Sequence, residues 1–131
     1  MRPLYRELAS LVCARQNCAK SGNSEWHDRH TERIEELVRN HMPSGSGIDS
    51  GTHLDLDKSS EDRLVFRFGY HHMNDCGIYD GWTEHKAIVI PSLQFGFHLN
   101  ITGRDRNDIK DYLHDVFSAA LSEEVGEPVA K

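Results

Sequence analysis

Apolar positions recur at two different spacings along the chain. In the first 42 residues, and again after residue 105, they repeat every three or four positions, which is the period of a helix with one buried face. Between residues 52 and 101 they alternate with polar positions, as in strands that bury one side of a sheet. The spacing therefore predicts helices at both ends of the chain and strands between them.

Three helices are predicted. The first runs over about Pro3–Cys18, and the second over about Glu25–His41, with Ser24 as its candidate N-cap and Pro43 just beyond its end. The third begins near Asp105 and reaches Leu121. Residues 43–51 are rich in glycine, serine and proline, a composition typical of a flexible connector.

Four strands are predicted between the second and third helices, at Thr52–Asp57, Arg63–His72, Thr83–Ile90 and Leu93–Ile101. Strands in an uninterrupted run with short connections favour an antiparallel meander. The expected fold is two-layer α+β, in the order α-α-β-β-β-β-α, with the helices on one face of the sheet and the other face open.

Alternation assigns each strand residue to one of these faces. The inward positions are Leu54, Leu56, Leu64, Phe66, Phe68, Tyr70, Ile88, Ile90, Leu93, Phe95, Phe97, Leu99 and Ile101. The outward positions include His53, Asp55, Asp57, Val65, Arg67, Gly69, His71, His85, Ala87, Val89, Gln94, Gly96, His98 and Asn100. The open face is thus expected to carry most of the polar side chains of the sheet.

Strand register predicts a row of histidines on that open face. A tight turn at Pro91-Ser92 aligns His85 with His98, and a connection centred near Ile78 aligns His71 with His85. Three imidazoles from one face are a candidate zinc or nickel site, with Asp55 and Asp57 as further ligands or as hydrogen-bond partners of the ligands. The alternative is a solvated sheet face that holds no cofactor.

The segment from Met73 to Trp82 is a candidate binding loop. It combines Tyr79 and Trp82 with Asp75 and Asp80, and aromatic side chains beside polar groups are frequent anchors of binding surfaces. The same aromatic residues could instead cap the edge of the core. Arg67, on the neighbouring strand, is added to the candidate binding residues.

Length and charge narrow the classes of function. The chain has 131 residues and a net charge of −6, which fits one domain over residues 1–121 and an acidic, flexible tail over 122–131. It has no basic stripe, which disfavours direct nucleic-acid binding, and no apolar segment long enough for a membrane span or a secretory signal. Three unpatterned cysteines, Cys13, Cys18 and Cys76, indicate free thiols in a reducing cytoplasm.

Four segments carry a resemblance to known proteins: residues 43–51 (PSGSGIDSG), 71–75 (HHMND), 79–83 (YDGWT) and 103–112 (GRDRNDIKDY). With these segments the chain resembles small accessory proteins of bacteriophages and other mobile elements, most of which have no assigned function. The resemblance implies an inhibitor or a sponge that acts against host defence in the bacterial cytoplasm, a class that includes anti-CRISPR proteins. It implies no catalytic residue.

Three functions stay open at this point. The first is a non-enzymatic inhibitor that binds a host protein complex, favoured because no catalytic motif is present. The second is a metal-binding protein or metal-dependent hydrolase that uses His71, His85 and His98. The third is a sponge for a small nucleotide signal, which would use the serine- and glycine-rich connector with Arg67, Tyr79 and Trp82. A homodimer that covers the open face is compatible with each.

Overall fold

The structure is a computed structural model that describes residues 2–44, 48–73, 76, 79–92, 96–103 and 107–125. Its elements, in chain order, are β1 (Arg2–Pro3), α1 (Leu4–Ser21), α2 (Ser24–His41), β2 (Ile48–Leu54), β3 (Leu64–Met73), β4 (Tyr79–Ser92), β5 (Gly96–Thr102), α3 (Asn107–Ser122) and β6 (Glu124–Val125). The α+β class and the order of the three helices and four main strands are confirmed.

The boundary between α1 and α2 depends on two small residues. Gly22 ends α1 in a left-handed conformation, with φ at 76°, and its backbone N–H points back to the carbonyls of the last helical turn. The side chain of Asn23 then accepts a hydrogen bond from the backbone N–H of Trp26 at 3.3 Å. The N-cap of α2 is therefore Asn23, and the sequence prediction of Ser24 is wrong by one residue.

The main sheet is an antiparallel meander in the order β2-β3-β4-β5, and the three helices pack against one of its faces. Helix α2 lies at the β2 edge, α3 lies near β5, and α1 contacts both of these helices. Phe117 of α3 packs against Phe66 and Phe68 of β3, with ring centroids 6.5 and 4.8 Å apart. No helix in the described part of the chain is long and apolar enough to cross a membrane.

The predicted inward and outward faces are correct for most of β3 and β5 and wrong for β4. Leu64, Phe66, Leu99 and Ile101 are buried as expected. On β4, however, the residues in the core are His85, Ala87 and Val89, each 0 % exposed, whereas Ile90 is 47 % exposed. Val65, which was expected outside, is also buried.

The connection between β4 and β5 explains the error on β4. We expected a two-residue turn that pairs Ile90 with Leu93, but Ser92 pairs with Gly96 and Ile90 pairs with His98. The partner of Ile90 is thus displaced by five residues, from position 93 to position 98. Because side chains alternate between faces, an odd displacement moves every β4 side chain to the opposite face.

Strand β2 begins and ends earlier than predicted. It covers Ile48–Leu54, with a register shift between Asp49 and Thr52, so Asp55 and Asp57 follow the strand and do not belong to it. The turn that they occupy is closed by the backbone N–H of Lys58, which lies 3.3 Å from both the backbone carbonyl and Oδ1 of Asp55. The two aspartates therefore lie on a turn at the end of the edge strand.

The two ends of the described chain are joined in a small second sheet. Arg2 pairs with Val125 in an antiparallel register, and the N–H of Leu4 donates to the carbonyl of Glu123 at 2.8 Å. Val125 is 3 % exposed. Of the acidic tail expected over 122–131, residues 122–125 therefore form a helix end and a strand, and residues 126–131 lie outside the described residues.

Candidate functional site

The three histidines of the predicted row are not neighbours, so this prediction is wrong. His71 pairs with Trp82 and His98 pairs with Ile90, eight positions apart on β4. At a rise of about 3.3 Å per residue this separation is about 26 Å. His85 lies on the other face, in the core. The error comes from both strand connections. The connection between β4 and β5 is longer than expected, and the connection between β3 and β4 is shorter than expected.

His85 is part of the packing of the core. Its ring stacks on Phe68, with centroids 5.4 Å apart and planes at 15°, and meets the edge of Tyr70 at 6.3 Å. Nδ1 of His85 lies 3.0 Å from the carbonyl oxygen of Thr102, which can only accept, so this nitrogen donates. Within the described residues, no three His, Cys, Asp or Glu side chains are grouped as metal ligands.

The candidate binding loop is shorter than predicted. Residues 79–82 belong to β4, where Trp82 pairs with His71 and Tyr79 pairs with Met73. Asp75 lies outside the described residues, and only the backbone of Tyr79, Asp80 and Trp82 is described. Their predicted role in binding stays a prediction, as does the nucleotide hypothesis that depends on it.

Three other predicted binding residues do lie together. Asp55, Asp57 and Arg67 line one concavity of about 440 Å³ at the β2 edge of the sheet. The rest of its lining comes from β2, the turn after it and the two neighbouring helices: Arg15, Thr31, Glu35, His53, Leu54 and Leu56. Arg67 reaches this place because it pairs with His53 in the β2–β3 ladder.

An apolar cavity of about 500 Å³ continues from this concavity, between α2 and β2. The two cavities share Glu35, His53, Leu54 and Leu56, so they form one continuous surface, which we call the α2–β2 groove. Its apolar lining consists of Ile34, Val38, Met42, Leu54 and Leu56, and Arg39 adds one positive charge to this part. The groove therefore has an apolar part beside α2 and a charged end beside Asp55 and Arg67.

The sequence builds the groove from two ordinary features. Ile34 and Val38 belong to the buried stripe of α2, and this stripe extends past the helix end to Met42. The connector after α2 is held against β2 because the hydroxyl of Thr52 donates to the carbonyl of Pro43 at 2.7 Å. Gly51 has a φ of 77° and lies beside Ser44, at the end of the groove opposite Asp57.

The charges at the polar end of the groove are unequally matched. Nε of Arg67 donates to Glu84 at 2.7 Å, and this bond, with the charges of Glu84 and Asp55, raises the pKa of Arg67. Nε of Arg15 donates to the hydroxyl of Thr31 at 2.6 Å. Because a hydroxyl carries no charge, this contact does not neutralise Arg15. Among the described residues, no ion pair within 4.0 Å involves the carboxylates at this end, which are Glu35, Asp55 and Asp57. Negative charge is therefore in excess there.

Sequence reasoning found the polar end of the groove and missed the apolar part. The alternation of β2 and β3 indicated that Asp55, Asp57 and Arg67 share a side. By contrast, the spacing of apolar residues places Ile34 and Val38 only on the core face of α2 and gives no signal for Glu35. A usable signal was present, since β2 is the first strand of the predicted meander and the first strand of a meander lies at an edge.

Comparison with known proteins adds no identification. No family model matches the sequence, no curated protein matches it, and no solved structure matches its fold.

Proposed function

We propose that the protein is a non-enzymatic binding protein that holds a segment of a partner protein in the α2–β2 groove. The supporting observation is the groove itself, which joins an apolar cavity of about 500 Å³ to a charged end that contains three of the predicted binding residues. Apolar lining with a few polar groups at one end is the usual composition of a specific binding site.

The class of partner that we propose is a host defence protein, such as a CRISPR effector complex. This part of the proposal comes from the sequence resemblance to accessory proteins of mobile elements, and the net charge of −6 agrees with it. An acidic surface can occupy a basic site on another protein and suppress its contact with nucleic acid. The protein would then inhibit its partner by occupying a surface, without chemistry of its own.

A plaque assay tests both parts of the proposal. The protein is expressed in a panel of bacterial strains, each of which carries one defined defence system, and the strains are challenged with phage. The groove variant is Leu54→Arg, which places a long charged side chain in the groove. The matched control is Ile90→Arg, which adds the same side chain at a 47 % exposed position on the open sheet face. Both variants are first checked for an unchanged circular dichroism spectrum.

The expected result is restored plaque formation in at least one strain with the wild type and with Ile90→Arg, and none with Leu54→Arg. If the wild type restores no plaques in any strain, the proposal of a defence inhibitor is rejected. If Leu54→Arg still restores plaques, the protein is an inhibitor but the groove is not its binding surface. If only Ile90→Arg loses function, the open sheet face is the contact surface.

A further inference from the structure

The outer edge of β2 forms one wall of the α2–β2 groove, and its backbone groups have a definite direction. The N–H of Asp55 donates to the carbonyl of Val65 at 2.8 Å, so residue 55 directs its backbone toward β3. In an antiparallel ladder successive residues alternate in this direction. His53 therefore also faces β3, and the backbone groups of Thr52 and Leu54 point away from the sheet.

These outward groups lie beside the apolar wall of the groove. Strand β2 is an edge of the sheet, and Leu54 and Thr52 line the same cavity as Val38 and Met42 of α2. Outside the sheet ladders and the helices, the backbone hydrogen bonds among described residues include none from Thr52 or Leu54. Thr52 is 6 % exposed and Leu54 is half-buried, so Leu54 presents the more accessible outward groups. A strand edge next to apolar pockets is the arrangement in which proteins bind an extended segment as an additional strand.

The two sides of such an added strand would meet different surroundings. One side would face the mainly apolar part of the groove, where Leu54 and Leu56 are the half-buried apolar residues and Arg39 also contributes to the lining. The other side would face the region of Asp55, Asp57 and Arg67, where the guanidinium of Arg67 already binds Glu84 and the two aspartates form no ion pair with a described residue. Side chains of a strand alternate between its two sides, so the fitting segment alternates apolar and basic residues.

We propose that the occupant of the groove is an extended segment of a partner protein that adds to β2 as a strand and alternates apolar with lysine or arginine residues. This inference rests on the proposed binding function and specifies its ligand. The connector limits the length of the segment, because Ser44 lies beside Gly51 and Pro43 accepts the hydrogen bond of the Thr52 hydroxyl, which leaves Thr52 only 6 % exposed. At its other end β2 stops at Leu54, before the turn of Asp55 and Asp57, so about three residues of the segment can pair, centred opposite Leu54.

The experiment is a peptide selection followed by measurements on defined peptides. A display library of random seven-residue peptides is selected on the wild-type protein, and binders to Leu54→Arg are removed. Enriched sequences are compared with the synthetic probe Ac-Val-Lys-Val-Lys-Val-NH2 and with its Val-Glu-Val-Glu-Val counterpart by fluorescence polarisation. A third peptide carries N-methyl groups on alternate residues, which removes the donors that an added strand needs.

We expect enrichment of alternating apolar and basic sequences. N-methylation should weaken binding by about fivefold, since it removes the donor of a hydrogen bond of about 1 kcal/mol to the carbonyl of Leu54. The double substitution Asp55→Asn with Asp57→Asn should weaken binding of the lysine peptide by about fivefold, whereas Asp62→Asn, on the next turn, should not. Amide exchange at Leu54 should slow when the peptide is bound.

Each other outcome contradicts a different statement. Groove-dependent binders that are helical or unaffected by N-methylation would overturn strand addition and leave the proposed function standing. Preference for the glutamate peptide would overturn the charge assignment. Protection of Leu54 without peptide, together with a dimeric mass, would make a second copy of the chain the occupant. A selection that yields no binder sensitive to Leu54→Arg would overturn this inference. If, in addition, the wild-type protein restores no plaques in the assay described above, the proposed function is overturned as well.

Discussion

The imidazole of His85 lies directly against the backbone of Gly103. A Cβ atom on Gly103 would fall 2.7 Å from Cε1 of His85 and closer still to Nδ1. The φ angle of Gly103 is 134°, which other residues rarely adopt. The buried histidine and the glycine that follows β5 therefore depend on each other, and the space for the ring exists because position 103 has no side chain.

Gly103→Ala is expected to destabilise the protein by about 2–4 kcal/mol, because the added methyl group overlaps the ring and the backbone angle is strained. The measurement is urea unfolding followed by circular dichroism. Gly22→Ala is the matched control, since Gly22 also has a positive φ but no atom lies within 4 Å of its added Cβ. That control should cost about 1 kcal/mol. Equal losses for the two variants would show that the contact with His85 is unimportant.

Arg2→Ala is expected to cost about 1–2 kcal/mol, because it leaves the carboxylate of Glu7 without its ion-pair partner. Glu7 is 2 % exposed, and Nε of Arg2 lies 2.9 Å from Oε2 of Glu7. Arg29→Ala is the control, since it removes the exposed pair with Glu25 and should cost no more than about 0.5 kcal/mol. Chemical unfolding measures the stability of both variants. A smaller loss of unfolding free energy for Arg2→Ala than for Arg29→Ala contradicts the prediction.

Cys13 is expected to react slowly with iodoacetamide at neutral pH. A hydrogen bond to Glu61 is the main cause that raises the pKa of this thiol, with desolvation and the charge of Glu61 acting in the same direction. Glu61→Gln should therefore accelerate alkylation of Cys13 at pH 8 by about threefold, because the thiolate is the reactive form. Mass spectrometry of the modified peptides measures the rate, with Asp62→Asn as the control that should leave it unchanged.

The raised pKa of Cys13 also has a consequence for stability. The folded state favours the protonated thiol, so this contribution is complete at pH values below the ordinary thiol pKa and is lost as the pH rises through the raised one. Wild-type stability should therefore fall more steeply than that of Glu61→Gln in the alkaline range. If the stabilities of the wild type and Glu61→Gln change equally with pH, Glu61 is not the cause of the raised pKa of Cys13.

Val89→Thr and Ile90→Thr test which face of β4 is buried. Val89 is 0 % exposed, so a hydroxyl there lacks solvent and should cost about 1–3 kcal/mol. Ile90 is 47 % exposed, and the same new residue there should cost less than about 1 kcal/mol. Thermal or chemical unfolding gives both values. The opposite ranking would restore the face assignment that alternation alone predicts.

Alternation predicted the faces of β3 and β5 because their apolar residues are large and consistent. It was wrong for β4 because each face of this strand carries apolar residues that could be buried. Ile88 and Ile90 lie on one face, and His85, Ala87 and Val89 lie on the other. Judged by side chain alone, the isoleucines belong inside. The core selects the other set because Gly103 leaves room for His85, and Phe68 supplies a ring on which it stacks.

The candidate site was predictable only in part for a similar reason. The shared side of Asp55 and Arg67 follows from local alternation, which involves neighbouring strands. The apolar part of the groove requires α2 to lie along β2 at a distance that leaves a cavity, and nothing within the α2 sequence distinguishes Ile34 and Val38 from fully packed core residues. Such a gap depends on how two layers pack, which is a tertiary property.

The order of the sheet, β2-β3-β4-β5, is also the order of the strands along the chain. Every ladder of this sheet therefore joins neighbours in sequence, and α1 and α2 likewise form a consecutive pair. Closing short loops costs little chain entropy, so these two units can assemble early and independently. Docking of α3 and closure of β1 on β6 join distant residues and should come last, so variants in α3 should change the unfolding rate more than the folding rate.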